Sequence, residues 1–173
     1  SNGSFSQEGS EQVTNGNFAT DTDWALGTGW SIGDGKAISD GTQTSQSNIY
    51  QSGVVPINKT YKVTFSTVVT SGSLVLAVGG SNPQPTVTTS GTYTYTSKTT
   101  IGDSNLYFSA SSDFIGSITN ISVKEVGQDW SLGGSGSNAA TIGSNSATIT
   151  SVDGNSYIQQ NSVLTSGKSY KIS

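Results

Sequence analysis

The amino-acid sequence predicts an all-β protein whose antiparallel strands pack as a sandwich or a barrel. Gly, Ser, Thr and Asn are abundant and Glu is scarce, a composition that disfavours helices and favours short strands joined by turns. Apolar residues alternate with polar ones in short runs, and turn signals recur about every 8–12 residues. No stretch shows helical periodicity. These observations together predict about eight to ten short strands.

A β-hairpin is the first predicted element. Residues 30–32 and 37–39 alternate with period two on either side of Asp34 and Gly35, a dipeptide typical of tight hairpin turns. Six further strands are predicted from alternation or from short apolar runs. They are residues 48–55, 60–68, 74–78, 92–96, 106–110 and 116–126.

The alternation also assigns side chains to opposite faces of these strands, because successive residues of a strand point to opposite sides. Tyr50 is predicted to face away from Ile49 and Gln51. Tyr107 is predicted to face away from its apolar neighbours, and therefore to lie on the outer surface or in a groove if those neighbours form the core. In the last strand the alternation predicts one shared face for Thr119, Ile121 and Val123.

The chain contains an internal repeat. The segment at Trp24 and the hairpin after it return in fainter form from Trp130, and the strand at Ile49 returns at Ile158. The offset between the copies is 106 residues at the tryptophans and 109 at the isoleucines, so a three-residue insertion separates them. Ordered blocks that return with the same gap indicate a duplication. The sequence therefore predicts two tandem modules.

The repeat also sets the expected domain boundaries. We expect residues 1–10 to be a linker or the end of an upstream module, residues 11–126 to form a first module, and residues 127–173 to form a second, truncated module. The second copy stops one strand into its equivalent of residues 61–63, and a half-built sheet exposes unpaired strand edges. We therefore expect a fragment of a longer protein, which is favoured over a last strand that pairs with another chain.

The composition excludes several classes of function. The chain has neither Cys nor His, which excludes Ser-His-Asp and Cys-His nucleophilic sites as well as the common zinc and haem sites. A net charge of −4, with seven Lys and no Arg, argues against nucleic acid as a partner. The longest apolar run, residues 74–78, is far shorter than the ~20 residues of a membrane helix. We therefore expect no membrane insertion.

Glycoside hydrolysis is also disfavoured by the carboxylates. Such an enzyme needs two carboxyl groups held about 5–9.5 Å apart in a cleft. The only glutamates are Glu8, Glu11 and Glu125, and nearly all the aspartates stand beside Gly, Ser, Thr or Asn in turn-like contexts. The sequence therefore predicts a protein that is not an enzyme.

Two motifs resemble a known family. The chain opens with VTNGNF at residues 13–18, continues with Trp24 and Trp30, and closes its first module with SITNISVKEV at residues 117–126. This set resembles the carbohydrate-binding-module jelly rolls of the families four, nine and twenty-two type, in particular the tandem Gly/Ser/Thr-rich repeats of bacteriophage tail fibres and virion appendages. The resemblance covers residues 11–126 fully and 127–173 in part. It implies an eight-to-ten-stranded jelly-roll sandwich without catalytic activity, located extracellularly or on a virion surface, that in some members binds glycans through an aromatic-lined face.

Many members of that family hold a structural calcium ion with acidic residues in these motifs. Here Asn17 and Thr119 stand at positions that are often acidic, so calcium is doubtful at that site and no cofactor is expected. Asp21 and Asp23 could supply two oxygens to a calcium ion. An Asx-type turn before Trp24 is the favoured alternative, because the other oxygens that calcium requires are not signalled nearby.

Aromatic side chains are the candidate glycan-binding residues, because a ring face complements the C–H face of a pyranose. The candidates are Tyr50, Tyr95, Tyr107 and Trp24. For Trp24, Trp30 and Trp130 a core role is favoured, since they are the largest hydrophobic side chains in a chain with few. The second copy has Gln159 in place of Tyr50, which indicates either a site peculiar to the first module or a tolerant surface position.

The favoured function is a non-catalytic structural and adhesion module of a fibre or virion appendage that contacts cell-surface glycans by aromatic stacking. Other copies of the chain, or other virion proteins, are then its expected partners. The alternative is a carbohydrate-binding module appended to a polysaccharide-degrading enzyme, and a catalytic domain is the third hypothesis. Shallow sugar sites bind weakly, so repetition of modules is expected to strengthen attachment.

Overall fold

A computed structural model describes residues 8–79, 84–99, 102–127, 130–133, 139–143, 146–150 and 156–160. Every regular element in these ranges is a β-strand, as the composition predicts. The chain divides into two compact units. The first unit comprises Gly9–Glu125, and the second consists mainly of Val126–Ser173. Within the described ranges, no helix has the length and apolar character needed to cross a membrane.

Ten strands belong to the first unit. They are β1 (Glu8–Glu11), β2 (Ala25–Leu26), β3 (Trp30–Gly33), β4 (Lys36–Ser39), β5 (Ser47–Gln51), β6 (Thr60–Ser71), β7 (Leu74–Val78), β8 (Gly91–Lys98), β9 (Leu106–Ala110) and β10 (Ile115–Val126). Four short strands lie in the described part of the second unit. They are β11 (Ser131–Gly133), β12 (Ala139–Gly143), β13 (Ser146–Thr150) and β14 (Tyr157–Gln159).

The first unit is an antiparallel β-sandwich, as predicted. One sheet has six strands in the order β3-β4-β10-β6-β8, with β1 paired to β10, and the other has four strands in the order β2-β5-β9-β7. The two sheets meet where Phe65 of β6 contacts Phe108 of β9, with ring centroids 4.9 Å apart and planes at 77°. Edge-to-face contacts of this kind stabilise a core beyond the area that they bury.

The aromatic residues of the opening segment are core anchors. Phe18, Trp24 and Trp30 are 1%, 7% and 7% exposed. Trp24 lies 5.3 Å from Phe18 and 6.5 Å from Phe108 between ring centroids, so it fills the end of the sandwich. The core role that the sequence favours for Trp24 and Trp30 is therefore confirmed.

The opening and closing motifs meet in space. The carbonyl oxygen of Gly16 accepts a hydrogen bond from the Ile121 amide at 2.8 Å, and Gln12 N donates to the Val123 carbonyl oxygen at 2.9 Å. Glu11 accepts bonds from Val123 N at 2.6 Å and Ser122 Oγ at 2.7 Å. A Cβ on Gly16 would overlap the Ile121 carbonyl oxygen, so glycine is required at this crossing.

Two strand predictions need correction. The strand predicted over residues 48–55 ends at Gln51, because the chain turns at Gly53, where φ is 77°. Thr119 does not share the buried face of Ile121 and Val123, and Ile118 is buried instead. Asn120, with φ of 54°, interrupts the alternation at the point where the opening motif crosses β10.

The remaining strand predictions are confirmed with ends that shift by up to three residues. In the β3–β4 hairpin, Gly33 pairs with Lys36 around Asp34 and Gly35, whose φ values are 53° and 70°. Positive φ at both central residues matches the right-handed twist of the flanking strands, which is why Asp-Gly is favoured there.

The second unit contains strand pairings that correspond to those of the first. Strand β14 pairs with β11 so that Leu132 lies opposite Ile158, just as Leu26 of β2 lies opposite Ile49 of β5. Strands β12 and β13 pair antiparallel, with Gly143 opposite Ser146, as β3 and β4 pair with Gly33 opposite Lys36. The predicted later block of the second copy, residues 161–173, lies outside the described residues.

Gly16→Ala is expected to lower the free energy of unfolding by about 2–3 kcal/mol, because the Cβ of the new alanine would collide with β10. This is the upper part of the usual range for a single substitution. Gly33→Ala is the matched control. A Cβ there meets nothing within 4 Å, so its effect should stay within about 0.5 kcal/mol. Urea unfolding followed by tryptophan fluorescence measures both variants, and equal stabilities would contradict this account of the crossing.

Candidate functional site

The candidate site is the outer face of the four-stranded sheet, called here the tyrosine face. Along β5 and β9 the apolar residues are buried in the core, and the residues between them point outward. Tyr50 and Tyr107 are directly paired across the two strands, and Ala25 and Ala77 are the next residues in the same row. Small side chains on both sides therefore leave the two tyrosines as the largest groups of this row.

The two tyrosine rings form a platform. Their centroids lie 5.1 Å apart and their planes are inclined by 34°. Both side chains are half-buried, so each is supported by the sheet and still offers part of its surface to solvent. Cross-strand aromatic pairs of this kind stabilise each other's orientation.

A hydrogen-bond network fixes Tyr107. Its hydroxyl donates to Asp103 Oδ2 at 2.6 Å and accepts from Asn105 Nδ2 at 2.8 Å. Asn105 is itself held, because its backbone N–H donates to Asp103 Oδ1 at 2.9 Å and its side-chain Oδ1 accepts from the backbone N–H of Gly53 at 3.2 Å. The bond to Asp103 is the main cause that raises the pKa of Tyr107 above its ordinary value. The ring is therefore held before any ligand arrives.

Three shallow cavities lie along the tyrosine face. The first, of about 470 Å³, is lined by Tyr107, Asp103 and Ser109 among others, and shares Gln46 and Asn48 with the second, of about 370 Å³. The second also shares Tyr50 with the third, of about 370 Å³. Because neighbouring cavities share lining residues, they adjoin in a row, in which Tyr107 lines the first cavity and Tyr50 lines the second and third.

Polar groups border the platform. Asn48 and Ser109 are paired across β5 and β9, two residues along from Tyr50 and Tyr107 and therefore on the same face. The side-chain oxygen Oδ1 of Asn48 is shielded from solvent and has no hydrogen-bond partner among the described residues. An acceptor in this state costs free energy unless it is bonded. Asn48 itself lines two of the cavities, so rotation of its side-chain amide would bring this oxygen within reach of a ligand hydroxyl there.

The four aromatic residues predicted from the sequence are not all brought together. Trp24 is 7% exposed and its indole NH donates to the Asn15 carbonyl oxygen at 3.1 Å, so it has no free ring face for a ligand. Tyr95 lies on β8, at the edge of the other sheet, and packs against Tyr93 with centroids 6.3 Å apart. Tyr50 and Tyr107 are thus the two candidates that share the tyrosine face.

The loop of Asp21 and Asp23 is held by turn hydrogen bonds. Asn15 Nδ2 donates to the carbonyl oxygens of Thr20 and Thr22, at 2.7 Å and 2.9 Å. Thr22 Oγ1 donates to Asp23 Oδ2 at 2.8 Å.

Nowhere in the described ranges do three or more acidic, His or Cys side chains form a group able to hold a metal ion. Thr119, at the position that is often acidic in the resembling family, donates to the Gly35 carbonyl oxygen at 2.8 Å.

The charged groups of the tyrosine face are acidic. Asp23 and Asp103 line its cavities, and none of the described residues that line the three cavities is a lysine. Two of the glutamates make structural contacts elsewhere: Glu11 binds β10, and Glu125 pairs with Lys59 at 2.6 Å. The face therefore suits a neutral ligand better than an anionic one.

Sequence reasoning missed the polar part of the site. Asn48 and Ser109 could have been found from the alternation that placed Tyr50 and Tyr107 outward, since each stands two residues away on the same strand. Asp103 and Gln46 lie in loops, and no periodic signal in the sequence indicates which way a loop side chain points.

Comparison with known proteins finds similar folds only among solved structures. No protein-family model matches the chain, and no curated protein matches it. The similar structures include a family 29 carbohydrate-binding module, a point mutant of CBM29-2 (14% identity, TM-score 0.49, 67% of this chain and 89% of that one). A second is a CBM4 module (15% identity, TM-score 0.43, 65% of this chain and 99% of that one).

A third similar structure is the enzymatically active domain of tailspike protein 4 of bacteriophage CBA120. It shares 16% identity and a TM-score of 0.48 over 66% of this chain, which spans only 21% of that one. At these identities and TM-scores the likeness carries no function over to this chain. The function is therefore inferred from the tyrosine face itself.

Tyr107→Phe is expected to lower the free energy of unfolding by about 1 kcal/mol, because it removes the hydroxyl that Asp103 and Asn105 bind. Tyr50→Phe is the matched control and should leave stability unchanged, since the Tyr50 hydroxyl has no partner among the described residues. Urea unfolding measures both. Two phenylalanine variants of equal stability at pH 7 would show that the network does not hold Tyr107.

The same pair of variants predicts a pH dependence. Because the pKa of Tyr107 is raised in the fold, the stabilisation is fully present below the ordinary value of 10.0 and is lost as pH rises through the raised pKa. The stability difference between the unmodified chain and Tyr107→Phe should therefore shrink above pH 10. A difference that stays constant into that range would contradict the network.

Proposed function

We propose that the tyrosine face binds a glycan chain and that the protein is a non-catalytic adhesion module. The observation that carries this proposal is the pair of half-buried tyrosines that line a row of adjoining shallow cavities, with Tyr107 held by hydrogen bonds. Apolar ring faces combined with a few convergent polar groups are what an amphipathic ligand such as a sugar requires.

Each part of the face has a role in this proposal. The rings of Tyr50 and Tyr107 stack on the C–H faces of sugar units, and Tyr107 is held in place by Asp103 and Asn105. Asn48 lines two of the cavities, and its side-chain amide rotates to accept a hydrogen bond from a sugar hydroxyl through Oδ1, which otherwise has no partner among the described residues. The adjoining cavities allow a chain to run across the platform. Shallow sites of this size yield weak binding, because only the surplus over the cost of association appears as affinity.

The charge of the face indicates which glycans bind. Asp23 and Asp103 repel uronate or sulfate groups, and the lining residues that the structure describes include no lysine to neutralise them. We therefore propose neutral polysaccharides as the ligand class.

We also infer that the chain is a tandem duplication. Its support is the repeated pairing register: Ile32 lies opposite Ala37 in the first unit, and Ile142 lies opposite Ala147 in the second. Weak sites gain avidity when modules repeat along a polymer. This favours an adhesion role in an extracellular fibre or virion appendage, with further copies of the chain or other appendage proteins as partners.

Tyr50→Ala and Tyr107→Ala are each expected to weaken polysaccharide binding at least tenfold, equivalent to about 1.4 kcal/mol, because each removes one ring of the platform. Mobility in native gels that contain hydroxyethylcellulose, arabinoxylan or galactomannan measures the binding. Val68→Ala is the control, since it removes an exposed apolar side chain of the six-stranded sheet.

Three results would count against the proposal. If both tyrosine variants are retarded as strongly as the unmodified chain, the tyrosine pair is not the binding site. If alginate or polygalacturonate retards the protein more strongly than the neutral polysaccharides do, the assignment of a neutral ligand is wrong. Sizing by light scattering addresses the adhesion role: assembly into trimers or filaments agrees with a fibre component. A monomer with tight affinity for one polysaccharide favours instead a binding module appended to an enzyme.

A further inference from the structure

The second unit contains a pair of strands that matches the pair carrying one edge of the platform in the first. In the first unit Ala25 of β2 lies opposite Tyr50 of β5. In the second, Ser131 of β11 lies opposite Gln159 of β14, and the next pair matches equally. Both pairs are antiparallel and occupy corresponding places in the repeat. The backbone of β14 therefore corresponds to that of β5, residue for residue.

This correspondence indicates that an aromatic residue has moved along the strand rather than been lost. β5 reads Asn48-Ile49-Tyr50, and β14 reads Tyr157-Ile158-Gln159, so the amide and the tyrosine have exchanged positions. The exchange shifts the ring by two residues, about 6.6 Å along the strand. Replacement of Tyr50 by Gln159, taken alone, gives the contrary impression that the second copy has no platform.

The exposure of β14 agrees with an outward-facing ring. Tyr157 is 50% exposed, Gln159 is exposed, and Ile158 between them is half-buried. The same order holds in β5, where Ile49 is buried and both neighbours are more exposed. Tyr157 and Gln159 therefore lie on one face of the strand, as Asn48 and Tyr50 do.

We propose that the second unit bears a second glycan-binding face, with Tyr157 as its stacking residue and Gln159 as its hydrogen-bonding residue. The proposal rests on the function proposed for the tyrosine face, since it assigns the same ligand class, a neutral polysaccharide, to the corresponding strand. The order of ring and amide along the strand is reversed. The two faces therefore place the stacked sugar differently relative to the hydrogen-bonded one.

The test is a titration of the full ¹⁵N-labelled chain with neutral hexasaccharides, namely cellohexaose, xylohexaose and mannohexaose, followed by backbone amide shifts. We expect two separate sets of shifted amides, one on β5 and β9 and one on β14. Tyr157→Ala should abolish the β14 set and leave the other unchanged, whereas Tyr107→Ala should do the reverse. Ile149→Ala is the matched control, because Ile149 is a 52% exposed apolar residue of the second unit on another strand.

The outcomes separate the two proposals. A single set on β5 and β9 that is lost in Tyr107→Ala and unaffected by Tyr157→Ala overturns the second face and leaves the first intact. No shifts with any of the three sugars overturn both. If Tyr157→Ala disturbs the spectrum of the whole second unit, Tyr157→Phe decides: retention of the β14 shifts supports the ring as the contact, and their loss overturns it.

Discussion

Packing of Phe108 against Phe65 and Trp24 is the constraint on which the site depends. These contacts at 4.9 Å and 6.5 Å fix which side of β9 faces the core. Since side chains alternate along a strand, burial of Phe108 forces Tyr107 to the opposite side. A one-residue slip would exchange them and bury a polar hydroxyl. The outward direction of Tyr107 in the platform is thus a consequence of core packing.

A second constraint closes the first unit at its end. Gln51 is buried although it is polar, and it is satisfied because Nε2 donates to the carbonyl oxygens of Thr14 and Asp23 while Oε1 accepts from Thr14 N at 2.9 Å. The amide therefore holds the opening loop against β5, directly beside Tyr50. A buried polar group with all its bonds made specifies one arrangement of the loop. The loop in turn places Asp23 at the edge of the face.

The alternation of apolar and polar residues made most of the first unit predictable from the sequence. A strand that is buried on one side has an apolar residue at every second position, and this pattern is visible in the sequence. The sandwich, the hairpin and the outward direction of Tyr50 and Tyr107 were all accessible in this way. Thr119 was assigned wrongly because Asn120 takes a left-handed conformation, and nothing in its neighbours signals this. The order of strands in the sheets decides that Tyr50 pairs with Tyr107 and that Tyr95 lies apart from both. The residue pattern of a single strand carries no information about that order.

The corresponding strands β5 and β14 illustrate how one backbone pattern can support two different faces. Ile49 is buried and Ile158 is half-buried, and each stands between two more exposed neighbours at the same pairing register. Their neighbours face outward, where substitutions cost little stability. Under the proposed duplication, Asn48 and Tyr50 could therefore diverge to Tyr157 and Gln159 without loss of the fold. The second face that we propose therefore differs from the tyrosine face in its order of ring and amide, and weak sites that repeat bind with greater avidity than one site alone.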